Sequence, residues 1–179
     1  MENMIISLVN QLGYFGIFLL IAVENIFPPI PSEVILTFGG FLTTYTDLQV
    51  WGVVVAATLG SVAGALVLYA VGCFLSPEKL SSWLDGRLGR ILHLKRSDVE
   101  KAQGWFDRRG KLTVFLCRFV PIVRSLISIP AGMARMHVGV FLVLTTVGTA
   151  LWNVVLVSLG ALFGASWEKI AGYFDTYST

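Results

Sequence analysis

The sequence predicts an all-α integral membrane protein with two inverted repeats, each a re-entrant helical hairpin plus a transmembrane helix, joined by cytoplasmic amphipathic helices. Its 179 residues are 55% hydrophobic and only 13% charged. The mean hydropathy of +0.76 is typical of a membrane protein rather than a soluble one. Two apolar stretches are long enough to cross a bilayer, and two others are broken by prolines. The length suits a single membrane domain, residues 1–179.

The first repeat, residues 1–75, starts with two apolar segments on either side of a polar, proline-rich break. Residues 4–23 are nearly long enough to span, but they run into Glu24 and the prolines. Residues 34–45 cannot span, because about twelve residues at ~1.5 Å each fall well short of the ~30 Å hydrocarbon core. We expect a re-entrant hairpin, with a full span over 4–23 as the alternative. Residues 50–75 predict an uninterrupted transmembrane helix.

The linker, residues 76–111, carries nine of the 13 Lys and Arg residues, so the positive-inside rule places it in the cytoplasm. Residues 79–94 have apolar side chains at helical spacing, which predicts an amphipathic helix lying on anionic lipid headgroups. Ser97 and Glu100 match a capping box that begins a further short helix. We expect no nucleic-acid binding, because acidic residues interleave with the basic ones and apolar segments flank them.

The second repeat, residues 112–166, has the same order of segments. Residues 112–133 contain Pro121 and predict another broken hairpin. Residues 138–164 are uninterrupted and predict a second transmembrane helix. A short tail, residues 167–179, follows.

The spacing of prolines and glycines relates the two halves. Pro28 and Gly39 are eleven residues apart, and so are Pro121 and Gly132. If each repeat crosses the membrane once, the second must be inverted relative to the first, an arrangement found in transporters. Each long span also holds a GxxxG pair, which predicts close helix packing and permits a homodimer. These pairs are Gly60/Gly64 and Gly160/Gly164.

Four charged residues lie within the apolar segments and form the candidate site. Glu24 and Glu33 flank the first proline-rich run. Arg118 and Arg124 flank Pro121. A charge at bilayer depth costs about 2.5–3.5 kcal/mol, so such residues are expected to pair, contact water or bind a charged ligand. An unbroken helix would point the members of each pair in different directions, whereas a proline break lets them converge.

Backbone groups freed by these breaks need water or protein partners, which implies a polar cavity. We expect its wall to include the prolines of both breaks and one asparagine of the second span: Pro28, Pro31, Pro121 and Asn153. The alternative for Asn153 is a hydrogen bond between two helices, although its position soon after the arginine segment favours the cavity wall.

The chemistry of the four charges suits a phosphate-bearing ligand. Arg118 and Arg124 stay charged and can bind phosphate oxygens in a bidentate manner. A glutamate in an apolar site can gain or lose a proton near neutral pH. Glu24 or Glu33 could therefore carry a coupling proton or gate the arginines. The structural alternative is that the four charges only pair with one another and hold the two hairpins together.

Other chemistry has weaker support. A phosphatase of the histidine type needs a nucleophilic His near the arginines, but His93 lies in the linker and His137 has no partner Asp. The sequence has neither metal-ligand spacing nor a Walker sequence, so we expect no metal, no cofactor and no ATP hydrolysis. Cys73 and Cys117 lie in apolar surroundings, which predicts packing residues rather than a disulfide or metal pair.

The residues around the charges resemble the DedA family, also called the SNARE-associated or VTT domain family. The resemblance covers nearly the whole chain, and the arginine sequence followed by Ala-Gly-Met is its more specific part. The matching residues are Glu24, 28–33, Gly39, Gly40, 115–124, 130–133 and Phe141.

The resemblance implies a multi-pass protein of the bacterial inner membrane with two re-entrant hairpins that face each other. It also implies a lipid translocase, most closely one for undecaprenyl phosphate, with coupling to the proton motive force in some members. By this resemblance Arg118 and Arg124 bind the phosphate, and Glu24 and Glu33 serve in proton coupling or gating. Family members that move phosphatidylethanolamine or scramble phospholipids give the alternative function. A membrane lipid-phosphate phosphatase is a less favoured one.

Overall fold

The structure, a computed structural model, describes residues 2–27, 32–74, 104, 110–120 and 123–177, and their side chains between residues 13 and 166. Every secondary-structure element in these ranges is an α-helix, as the sequence predicts. The helices are α1 (Glu2–Ile26), α2 (Ser32–Leu42), α3 (Val50–Phe74), α4 (Leu112–Cys117), α5 (Val123–Leu126), α6 (Ser128–Met133) and α7 (Val138–Tyr177).

Two helices are long and apolar enough to cross a bilayer, α3 and the Val138–Ser166 part of α7. Both were predicted, although α7 continues to Tyr177 instead of ending at residue 164. By contrast, α1 is not one straight helix. Gly13 has φ 39° and ψ −129°, a conformation that glycine adopts readily, and the apolar helix Gly13–Ile26 is too short to span alone. The amphipathic helix and capping box predicted for the linker lie outside the described residues.

The predicted helix break between the two arginines is confirmed. Helix α4 ends at Cys117 and α5 begins at Val123, and this interval contains Pro121, which has no N–H to continue a helix. Helices α5 and α6 are divided at Ile127, but this is not a second break. Ile127 has helical dihedral angles, donates to the carbonyl oxygen of Val123 and accepts from the N–H of Ala131. Pro130 is the third residue of α6 and has no N–H to donate to the preceding turn.

Helices α2 and α7 cross with backbone against backbone. A side chain on Gly40 would overlap the carbonyl oxygen of Val157, and one on Gly160 would overlap the carbonyl oxygen of Thr37. Only glycine allows an approach this close. The two contact residues are three positions apart on each helix.

Helices α6 and α3 cross in the same way. A side chain on Gly132 would overlap the carbonyl oxygen of Tyr69, and one on Gly72 would overlap that of Ile129. The contact residues are again three positions apart on each helix. Each long helix therefore packs against a short helix from the other half of the chain, through matching pairs of glycines.

Both GxxxG pairs are used inside the chain. Gly60 and Gly64 of α3 face the backbone of α1, and Gly160 and Gly164 of α7 face α2 and Thr44. The predicted packing role of these small residues is confirmed. Since these faces are covered by helices of the same chain, the homodimer stays a prediction without support from them.

Helix α7 presents an apolar face outward and a polar face inward. Exposed apolar residues recur every four positions: Val143, Val147, Leu151, Val155 and Leu159. Fully buried polar residues also recur every four positions: Thr145, Thr149 and Asn153. The outward face suits hydrocarbon, and the inward face must find partners within the protein.

Two apolar core clusters lie on either side of a buried polar layer. One joins α1, α2, α3 and α7, and the other joins α3, α4, α6 and α7. Ser61 of α3 lies between them, one turn from Ala57 in the first cluster and one turn from Ala65 in the second. The predicted charged residues lie in this layer.

Candidate functional site

Arg118 is enclosed by protein, and two of the three nitrogens of its guanidinium donate hydrogen bonds to neighbouring residues. It is 1% exposed. Nη1 donates to the carbonyl oxygen of Arg124 at 2.7 Å, and Nη2 donates to Ser128 Oγ at 3.2 Å and Thr145 Oγ1 at 2.9 Å. Its guanidinium carbon lies 5.9 Å from the centre of the Phe141 ring, within range of a cation–π interaction. Nε has no hydrogen-bond partner. Arg118 therefore ties the segment that carries Arg124 to α6 and α7.

Arg124 is also buried, at 2% exposure, but most of its guanidinium is unbonded. Nη2 donates to Ser61 Oγ over a long 3.4 Å, whereas Nε and Nη1 have no hydrogen-bond partner among the residues that the structure describes. A buried donor left without an acceptor costs about 1–3 kcal/mol, and more when it is charged. Arg124 therefore offers donors that an anionic ligand can satisfy.

The charges of the two halves meet at Arg124. Glu24 and Glu33 both lie within direct electrostatic range of it and of each other. Glu24 is 4% exposed and Glu33 is half-buried, and each has a buried carboxylate oxygen without a hydrogen-bond partner. Arg118 lies beside Arg124. The four predicted residues therefore lie close together, and each has at least one buried polar atom without a hydrogen-bond partner among the described residues.

Two residues that the sequence analysis missed connect the halves. Asn25 Nδ2 donates to the carbonyl oxygen of Ser61 at 2.6 Å, and the Ser61 hydroxyl is the acceptor for Arg124. Through Ser61, α3 links α1 to α5. Their positions in the sequence could have identified them, because Asn25 is next to Glu24 and Ser61 lies between the two glycines of the GxxxG pair in α3. The acceptors of Arg118 on α6 and α7 were missed as well.

Asn153 forms a hydrogen bond between two helices, which was one of the two expectations for it. Its Nδ2 donates to Thr58 Oγ1 of α3 at 3.1 Å. Its Oδ1 has no hydrogen-bond partner, and neither does Thr149 Oγ1 one turn earlier. Its place in a cavity wall stays a prediction.

The remaining predicted residues divide into two groups. Pro28, Pro31 and Pro121 lie outside the described residues. Cys73 and Cys117 are free thiols that pack in the second core cluster, which confirms their predicted packing role.

Comparison with known proteins gives a consistent family assignment. The VTT domain matches residues 30–162, a range that includes Glu33 and both arginines. The chain is 59% identical over 179 residues to an alkaline phosphatase-like protein of Lactococcus lactis subsp. cremoris, covering 100% of this chain and 84% of that protein. It is 39% identical over 178 residues to undecaprenyl phosphate transporter A of Staphylococcus aureus, covering 99% and 87%.

A third relative is protein DedA of Escherichia coli, 30% identical over 156 residues, which covers 84% of this chain and 68% of DedA. No solved structure gives a significant match. The chain belongs to the VTT domain family, the DedA family of membrane proteins.

Proposed function

We propose that this protein is a lipid translocase that carries a lipid phosphate across the bacterial inner membrane, with undecaprenyl phosphate as the first candidate. The observation that carries the proposal is Arg124, a buried cation with unbonded donors beside two carboxylates. The name of the Staphylococcus aureus relative, an undecaprenyl phosphate transporter, supports the choice of substrate.

In this proposal Arg124 contacts the phosphate and Arg118 holds Arg124 in place. A phosphate supplies the oxygen acceptors that Nε and Nη1 of Arg124 lack, and charge-assisted hydrogen bonds to it are among the strongest in proteins. Arg118 adds positive charge and an unbonded Nε. Its other two nitrogens are bonded within the protein, so a direct contact with phosphate falls mainly to Arg124.

Glu24 and Glu33 are proposed to compete with the phosphate for Arg124. When the headgroup binds, its phosphate places another negative charge beside the two carboxylates. Uptake of a proton by Glu24 or Glu33 then relieves the repulsion. When the headgroup leaves, the carboxylates again offset the charge of Arg124. Transport would then be linked to protons, and the site would not be left as an uncompensated buried cation.

The proposed architecture is a multi-pass fold of two inverted repeats, each with a re-entrant hairpin. The matching glycine crossings of α2 with α7 and of α6 with α3 support it. So does the break at each charged segment, since broken helices that meet at bilayer depth are typical of transporters with inverted repeats. Rocking of one repeat against the other would open the arginine site to each side in turn.

Two alternatives remain open to test. A phosphatidylethanolamine flippase or phospholipid scramblase would use the carboxylates for the ammonium group, so Glu24→Gln should impair it most. A lipid-phosphate phosphatase is suggested by the name of the Lactococcus lactis relative. Such an enzyme would release inorganic phosphate, which a translocase does not.

The test is transport of fluorescently labelled undecaprenyl phosphate by the full chain in liposomes, read as loss of fluorescence to an impermeant quencher. We expect Arg124→Gln to reduce transport to the protein-free rate. Arg135→Gln is the matched control, because Arg135 is exposed and the same charge is removed. Equal rates for wild type and Arg124→Gln would contradict the proposal, and phosphate release in the same samples would favour the phosphatase.

A further inference from the structure

An apolar cavity of about 360 Å³ lies between α1 and α2. Three glycines, Gly13, Gly16 and Gly39, contribute to its wall, and every other lining side chain is Leu, Ile, Val or Phe. The cavity plays no part in the phosphate chemistry described above. Its volume lies within the range typical of ligand pockets in proteins, roughly 300–1,000 Å³.

The cavity opens on the outer surface of the helices. Three of its lining residues are large, apolar and exposed: Leu20 at 52%, Val34 at 61% and Phe38 at 54%. Apolar side chains with this exposure suit hydrocarbon rather than water. A lipid chain can therefore enter from the bilayer without crossing a polar surface.

One end of the cavity adjoins the charged site. Leu20 is one helical turn before Glu24 on α1, and Val34 is the residue after Glu33 on α2. The wall extends along α2 from Val34 to Leu42, about 12 Å at 1.5 Å per residue. A headgroup at Arg124 and a hydrocarbon chain in the cavity would thus be continuous.

We propose that this cavity, which we call the tail groove, holds the part of the hydrocarbon chain next to the phosphate in the lipid whose phosphate is bound at Arg124. The proposal rests on the proposed function and adds that the chain is held against the first hairpin rather than left in bulk lipid. One groove takes one slender chain, whether prenyl or acyl.

The groove acts through shape rather than through hydrophobicity. Lipid tails are as apolar as the groove, so moving a chain into it gains little from the hydrophobic effect. What it can supply is alignment, because a chain lying along α2 directs its phosphate toward Arg124. We therefore expect a change in the groove to alter which lipids are carried more than how tightly the phosphate binds.

The test uses two lipids with the same photoactivatable diazirine in mid-chain, one a lipid monophosphate and the other a phosphatidylcholine. Each is incorporated with the full chain in liposomes and cross-linked, and the labelled residues are mapped. The lipid phosphate should label residues of the tail groove on α1 and α2, and Arg124→Gln should reduce this labelling severalfold. Phosphatidylcholine should label the exposed face of α7 and be unaffected by Arg124→Gln.

A pair of matched variants tests the groove itself. Val34→Trp fills it, whereas Val143→Trp places the same bulk on the exposed face of α7, where Val143 is 62% exposed. Val34→Trp should lower groove labelling by the lipid phosphate severalfold, and Val143→Trp should not. The wild-type labelling map gives an answer even if Val34→Trp fails to fold.

The two proposals fail in different ways. If transport of the lipid phosphate depends on Arg124 but this lipid labels the groove no more than phosphatidylcholine does, the tail groove is wrong and the headgroup site stands. If Arg124→Gln changes neither transport nor labelling of the lipid phosphate, both proposals are wrong.

Discussion

The Nη1 atom of Arg118 donates a 2.7 Å hydrogen bond to the backbone carbonyl oxygen of Arg124. The first arginine thereby fixes the position of the second, whose own side chain stays largely unbonded. Two residues of the same type, six positions apart, thus have different surroundings and should respond differently to the same substitution.

Arg118→Lys should destabilise the protein, because one ammonium cannot reproduce the planar fork that reaches Arg124, Ser128 and Thr145. We expect a loss of about 1.5–3 kcal/mol in the free energy of unfolding for each charge-assisted hydrogen bond lost. Arg124→Lys has only one long hydrogen bond to lose, so its stability should stay near that of the wild type while transport falls. Reversible unfolding in mixed detergent micelles measures the stability of both variants. Equal destabilisation would contradict the idea that Arg118 holds the site together while Arg124 binds the ligand.

Thr145→Val should weaken the hold on Arg118. The change keeps the shape of the side chain but removes the nearer of the two acceptors of Nη2, at 2.9 Å, and leaves Ser128 Oγ at 3.2 Å. One N–H of a buried charged group then has no acceptor, at a cost of about 1–3 kcal/mol. Thr146→Val is the control, because Thr146 is the next residue and is exposed. The same unfolding measurement applies, and identical values for the two variants would argue against a role for Thr145.

Gly40→Ala and Gly132→Ala should each destabilise the fold. The added methyl group would overlap a carbonyl oxygen of the facing helix, and backbone cannot move aside as a flexible side chain can. Overpacking of this kind typically costs about 1–3 kcal/mol. Gly104→Ala should be close to neutral, since none of the described residues lies within 4 Å of the added atom. Thermal unfolding in detergent compares the three, and a harmless change at both crossings would show that the helices are not packed this closely.

Asn153 and Thr58 should be energetically coupled across α7 and α3. We expect a double-mutant cycle of Asn153→Leu and Thr58→Val to give a coupling free energy of about 0.6 kcal/mol, the average for hydrogen bonds between membrane helices. Simple additivity of the two single changes would mean that this hydrogen bond contributes nothing.

Much of the fold was predictable because membrane segments are defined by length and by charge. The two long helices follow from uninterrupted hydropathy, and the break after Cys117 follows from a proline between two charges. Close helix packing at Gly60/Gly64 and Gly160/Gly164 also follows from residue size, but residue size does not decide between a contact within the chain and one between two copies. The longer α7 was not predictable, because helicity continues past the apolar stretch into residues with no hydropathy signal.

The site was predictable in its charges but not in its connections. Glu24, Glu33, Arg118 and Arg124 stand out because each is costly in an apolar segment. The bond from Asn25 to the Ser61 carbonyl joins residues 36 positions apart, and no local pattern encodes such a pairing. The sequence also does not show which arginine has its hydrogen-bond donors paired within the protein. This depends on how the chain turns between α4 and α5, and packing against α6 and α7 sets that turn.

The order of synthesis gives the crossing of α2 with α7 a further consequence. Helix α2 is made early, but its main packing partner, α7, follows every other described helix in the sequence. The glycine face at Gly40 therefore has no cover while the rest of the protein is being produced. The N-terminal half cannot complete its packing alone, so α2 reaches its final contacts only after α7 has been made.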